Sequence, residues 1–246
     1  MLSMSHTADR VRQIFLAILL LVCIAWASGE AAQQFLRWRA QHLLGDIRSL
    51  SVNRSTWSDA QPFMKKWSRS SVKKTACTAE TCTYQVDLLQ TLPAFLVGSP
   101  NPGAKNWLAR AVDHIGLRSA AARAGFTIDH GVVAAKWFGE QVTLPVRDWD
   151  SPDGYIPYLS VASTETSQFR EHARNQTLLH PNRLAQHVKT YADIAYSPEE
   201  EPSEQSALMD FRLNCITQLH PCETEGEILP EAGHMVEEQK LTLPSR

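Results

Sequence analysis

Residues 14–27 (IFLAILLLVCIAWA) are apolar without a break, and Arg10 and Arg12 stand just before them. A stretch of this kind either sends the rest of the chain out of the cytoplasm or holds it on a membrane. At ~1.5 Å per residue it makes about 21 Å of helix, short of a ~30 Å hydrocarbon core. Ala25-Trp26-Ala27 also has the small-x-small form that a signal peptidase reads. Against cleavage, residues 28–49 hold no proline and only two glycines, Gly29 and Gly45, so the helix can run on. Trp26, Phe35 and Trp38 suit a bilayer interface, with Arg37 and Arg39 among the headgroups. Besides a buried core helix, the segment has two main readings. One is a single-pass anchor with the C-terminal domain outside the cytoplasm. The other is a cleaved signal that leaves a secreted or periplasmic domain. In either case Cys23 reads as a small hydrophobe inside the apolar run.

The compartment decides how the other four cysteines are read. Cys77 and Cys82 bracket four residues, and Cys215 and Cys222 bracket six. Outside a reducing cytoplasm, close pairs of this kind read as disulfides, with local pairing preferred among three connectivities. The rival is one zinc site built from all four. It fits poorly, because only the first pair has the tight spacing of a zinc knuckle. No C-x-x-C redox motif occurs, and no motif asks for a cofactor.

Charge is unevenly spread. Residues 199–240 carry eleven acidic against two basic side chains, so the rest of the chain is basic. The local basic peak is Lys65, Lys66, Arg69, Lys73 and Lys74. It reads as a solvated face, or as a surface drawn to anionic headgroups if it lies near a membrane. The acidic third and the compartment argue against nucleic acid.

Hydrophobic periodicity divides the chain into a short tail (1–13), a membrane or signal segment (14–29), a juxtamembrane helix (30–52), an α+β domain (53–230) and a polar tail (231–246) that frays. Ala60, Phe63, Met64 and Trp67 recur at helical spacing, and Pro62 is acceptable there if it falls in the first turn. Tyr84, Val86 and Leu88 alternate with polar residues as a strand does. Residues 93–103, with three prolines, read as a loop, and 104–115 as a helix. Strands are expected before and after Asp129-His130-Gly131, joined as a hairpin by a type I turn with glycine in the left-handed position. In that hairpin Val133, Ala135 and Trp137 should share the face of Phe126 and Ile128. Further strands fit residues 155–164 and 184–196. The expected fold is α+β: a membrane-spanning then amphipathic helix, followed by an antiparallel sheet of about five strands with helices packed on one face.

Candidate chemistry is thin. Asp148, Asp150 and Asp153 miss the spacing of a calcium loop, and His172, His180 and His187 form no metal-binding pair at helical spacing. There is no G-x-S-x-G elbow, P-loop or G-x-G-x-x-G. Trp107, Trp137, Trp149, Tyr155 and Tyr158 are a candidate aromatic platform for a sugar or peptide, although aromatics in strands usually pack a core. The candidate binding surface is therefore Trp137, Trp149, Tyr155, Tyr158, Lys65, Lys66 and Arg69.

Residues 50–67 (LSVNRSTWSDAQPFMKKW) resemble the start of small envelope domains of the BamE/SmpA type. There, a polar turn with Ser or Thr opens a short helix after an anchored segment. The resemblance spans fewer than 20 of 246 residues. Asn53 stands where that turn usually has glycine, and the lipid-bearing cysteine is missing, so no residue role is carried over. The functional expectation is a non-enzymatic envelope module that meets membrane lipid through its N-terminal segment and an envelope protein through its domain. The alternatives are a secreted hydrolase and a carbohydrate- or peptide-binding domain.

Overall fold

The computed structural model describes residues 3–75, 77–89, 116–144, 158–168, 176–177, 188–218, 220 and 222–242. Helix α1 (Ser3–Arg48) is 46 residues long and unbroken. Its first part, through Ser28, is exposed on all sides from Arg12 on, while from Gly29 a single stripe is buried: Gln33, Leu36, Ala40, Leu43, Leu44 and Ile47. The spacing of three and four is that of a helix laid on a core. Gly29 is needed for the first contact, because a Cβ there would sit 2.6 Å from the Leu117 side chain. Among the described residues α1 is the one helix long and apolar enough to cross a membrane.

After α1 the chain turns through Asn53, whose φ of 62° is left-handed. Asparagine tolerates that region better than most residues. The Asn53 and Val133 N–H groups then donate to the Val133 and Ser55 carbonyls, which ties the turn to the sheet. Helix α2 (Trp57–Trp67) comes next, opened by the Asp59 carboxylate accepting from the Thr56 N–H at 2.8 Å. Because α2 starts at Trp57, Pro62 falls in its second turn rather than its first, where it cannot donate to the Ser58 carbonyl. Burial of Ala60, Phe63 and Trp67 holds the helix in spite of that loss.

Among the described residues, seven strands form one sheet: β1 (Ser71–Lys74), β2 (Cys82–Leu89), β3 (Ala120–Asp129), β4 (Val132–Thr143), β5 (Tyr158–Thr166), β6 (Gln176–Thr177) and β7 (Val188–Tyr196). Their order is β1-β2-β3-β4-β5-β7-β6. The fold is α+β as the pattern indicates. One pair departs from an antiparallel sheet: β5 and β7 are parallel. Alternation in a sequence marks a strand but carries no direction, and the chain between β5 and β7 is long enough to return to the same end.

The β3–β4 hairpin is present with a different turn. Its loop has two residues, His130 and Gly131, with φ of 51° and 80°. Two left-handed residues make a type I′ turn, which suits the twist of the flanking strands. The register then slips: Thr127 faces Ala135 and Ile128 faces Val133, leaving Ala134 as the extra residue of a bulge. A bulge reverses which side chains point inward. Val133 faces the core, but beyond the bulge the inward residues are Lys136, Phe138, Glu140 and Val142, not Ala135 and Trp137.

One sheet face is thus fully buried. It presents Tyr84, Val86 and Leu88 of β2, Phe126 of β3, Phe138 of β4, Leu159 and Val161 of β5, and Ala192, Ile194 and Tyr196 of β7. Phe63 of α2 meets Phe126 edge-on at 5.7 Å, and Tyr84 stacks on Phe126 at 5.8 Å. Phe211 meets Phe138 edge-on at 4.8 Å. Among the described residues, α1, α2 and the 3-10 turn Leu213–Ile216 all contribute side chains to this core.

The C-terminal region is more ordered than its acidity implies. Helices α3 (Pro202–Ala207), α4 (Glu225–Ile228) and α5 (Pro230–Thr242) come after β7. Ala232, Met235 and Val236 of α5 are buried, so residues 231–242 are helical rather than frayed. Gly226 and Gly233 bring α4 and α5 together, since a Cβ on Gly233 would meet the Gly226 Cα at 2.7 Å. The charged residues of α5 conceal a short apolar stripe at helical spacing.

Candidate functional site

Cysteine pairing is local. The sulfurs of Cys77 and Cys82 are 1.96 Å apart, and those of Cys215 and Cys222 are 1.99 Å apart. The first pair pins the loop before β2, and the second closes the loop after the 3-10 turn. Cys23 is free and exposed on α1. Among the described residues no three His, Cys, Asp or Glu side chains converge to hold a metal.

The aromatic candidates do not form one platform. Trp137 and Tyr158 both lie on the second face of the sheet, but Trp137 pairs with Thr164 and Tyr158 with Thr143. Six residues of strand separate those positions, about 20 Å. Trp137 lies across Gly125: a Cβ there would be 2.4 Å from the indole and 2.5 Å from the Tyr84 carbonyl. Gly125→Ala should therefore destabilise the domain by about 1–3 kcal/mol, through displacement of a packed ring and of the neighbouring β2 backbone. A thermal midpoint unchanged within error would show that both the Trp137 ring and the Tyr84 carbonyl give way freely. Trp107, Trp149, Tyr155, Asp148, Asp150, Asp153, His172, His180 and His187 lie outside the described residues, as do the expected loop at 93–103 and helix at 104–115.

The second face carries a polar row instead. Asp87, almost fully buried, accepts from the Gln85 amide at 2.7 Å and pairs with Lys73 at 3.4 Å and Arg123 at 3.6 Å. In register across the sheet come Gly139 and Ala162, and then Asp193. Tyr191 donates to Asp193 at 3.2 Å. Burial first, then the Asp193 charge, pushes the Tyr191 phenol up to about 12, while Arg123 pulls the other way across the small-residue floor. The phenol stays protonated at physiological pH. The row can hold a polar partner, but it contains no nucleophile joined to a base.

On the buried face, the bulge places charges that the simple alternation put outside. The Lys136 ammonium pairs with Glu165 at 3.0 Å and donates to the Leu50 carbonyl at the end of α1. Tyr196 donates to the same carboxylate at 3.4 Å. Glu140, two residues along β4 from Phe138, is 1% exposed, and neither carboxylate oxygen has a hydrogen-bond partner among the described residues. Burial raises its pKa well above the usual carboxylate range, while the charge of Arg37 on α1 acts in the opposite sense. Arg37 itself donates to the Thr217 hydroxyl at 3.1 Å.

The basic candidates stand at the end of α2. Lys65, Lys66 and Arg69 are exposed. Lys66 pairs with Asp46 of α1 at 2.7 Å, and the Trp67 indole donates to the same carboxylate at 2.8 Å. Arg39 of α1 reaches Ser70 at 2.6 Å and lies over both Phe35 and Trp67, 5.8 Å and 5.6 Å from the ring centres. The end of α2 is thereby fixed beside the part of α1 that emerges from the apolar run. No family model, curated protein or solved structure matches the chain.

Proposed function

We propose that this chain is a membrane-anchored, extracytoplasmic interaction module whose anchor is retained. The observation that carries the reading is the continuity of α1. The helix passes from the exposed apolar run into the core with no break, and Gly29, two residues after Ala27, is already packed on Leu117. Cutting after Ala27 would require that turn to leave its helix and its contact. The two local cysteine pairs favour an oxidising compartment for the domain. The polar row on the second face and the basic end of α2 offer surfaces for recognition, without a nucleophile and base brought together for chemistry.

The test is an intact mass of the chain recovered from its membrane fraction, with thiol alkylation before and after reduction. The expected result is a chain that retains residues 14–27, with one alkylated thiol before reduction, Cys23, and five after. A chain that begins at Ser28 would refute the retained anchor. Five thiols free without reduction would refute the oxidising compartment.

A further inference from the structure

We infer that the outward face of α1, together with the end of α2, binds anionic phospholipid headgroups; this rests on the anchored reading above. Opposite its buried stripe, α1 exposes two large aromatic side chains beyond the apolar run, Phe35 at 57% and Trp38 at 53%. Exposed aromatics of this size that lie side by side mark an interaction surface. They stack on each other at 5.9 Å, and Arg39 continues the stack over Phe35 and Trp67. Lys66 lies 5.8 Å from the same Trp67 ring. The result is one contiguous band of rings with cations set among them, Arg39, Lys66 and, next along, Lys65 and Arg69. Near this band Asp46 is the acid that faces it, so the band is net positive.

Position selects lipid as the occupant. The apolar run supplies about 21 Å of helix for a ~30 Å hydrocarbon core. A span of ordinary thickness that starts at Arg12 therefore ends near residue 31. Phe35 then stands about 6 Å above the hydrocarbon, within the headgroup layer, and Trp38 about 10 Å, just beyond its outer edge. Aromatic rings favour that layer, and lysine and arginine beside them meet phosphate. Local thinning of the bilayer makes up the shortfall in apolar length, and a modest tilt of α1 toward this face lowers the band into the headgroups. The band is thus both continuous with the span and complementary in charge to an anionic surface.

The experiment uses the full chain in lipid nanodiscs. Cys23→Ser removes the one free thiol, and His42→Cys, exposed one turn beyond Trp38 on the same side of α1, carries a fluorophore. Quenching by a headgroup nitroxide lipid is compared in phosphatidylcholine alone and in phosphatidylcholine with phosphatidylglycerol. The expected result is quenching about threefold greater with the anionic lipid, since each cation near such a surface raises occupancy by about fivefold. Arg39→Gln with Lys66→Gln and Arg69→Gln should abolish the difference, and Trp38→Ala should reduce quenching in both lipids. Equal quenching in the two lipids, with the chain still in the disc, overturns the inference and leaves the anchor standing. Energy transfer between labelled copies in one disc, independent of lipid charge, overturns it by assigning the face to a second copy. A chain that does not enter the disc at all overturns the anchored reading as well.

Discussion

Lys136→Met should destabilise the domain by about 3–5 kcal/mol, read as a lowered denaturant midpoint of the full chain in detergent. The cost comes from what is left behind. The Glu165 side chain is 5% exposed, and its carboxylate depends on the Lys136 ammonium at 3.0 Å. The Tyr196 hydroxyl at 3.4 Å is a weaker contact and cannot replace a charge. The same ammonium also satisfies the Leu50 carbonyl, so the variant strands an acceptor where α1 hands over to the turn before α2. The double variant Lys136→Met with Glu165→Leu should recover most of the loss, because an apolar pair can replace a buried ion pair at little cost. A single variant that loses less than about 1 kcal/mol would mean that Glu165 finds solvent or another donor.

Glu140→Leu should act in the opposite direction. At pH 8 it should stabilise the domain by about 3 kcal/mol, the upper end of the cost of a buried polar group without a partner. The pH dependence comes from the raised pKa of this carboxyl in the fold, which burial causes and Arg37 only partly offsets. The folded state keeps its proton at pH values where the unfolded chain has released it. Stability from this group is therefore fully present below the unfolded value of 4.5 and is lost as pH rises through the folded value. The wild-type chain should lose stability over that window relative to Glu140→Leu, and the gap between their thermal midpoints should be smallest at about pH 4, where only the cost of an unpaired neutral carboxyl remains. Midpoints that stay parallel across the range would show that Glu140 reaches a partner and keeps its charge.

Both substitutions concern residues whose burial the sequence hides. The alternation in β2 and β7 is legible: Tyr84, Val86 and Leu88, and Ala192, Ile194 and Tyr196, face the core as their spacing indicates. In β4 the same rule holds only up to Val133. The bulge at Ala134 reverses the remaining residues, so Trp137 goes to the second face while Lys136 and Glu140 go inside. Nothing in the residue types marks a bulge at Ala134. Gly125, which makes room for Trp137 one strand away, is the nearest hint, since glycine inside a strand signals close approach. The direction of β7 is hidden for a different reason, because a parallel neighbour is chosen by the connection and not by the strand. The α5 stripe is masked by the acids around it. The buried stripe of α1 is readable in Leu43, Leu44, Ile47 and Leu50, and its extension back to Gly29 needs the contact with Leu117.

With the apolar run as the proposed anchor, the absence of any hinge in α1 between Gly29 and that run limits how the domain can meet a partner. A domain on a flexible tether of about twenty residues would sweep a radius of ~25 Å and sample many orientations. Here the tether has no length: the last turn exposed on all sides is joined directly to the first turn that faces the core. Anchored as proposed, the domain would spin about the membrane normal and diffuse sideways, and do little else. A partner anchored in the same bilayer meets it at a fixed height and in two dimensions, so little orientational entropy remains to be lost on docking. A soluble partner must come to the membrane to find it.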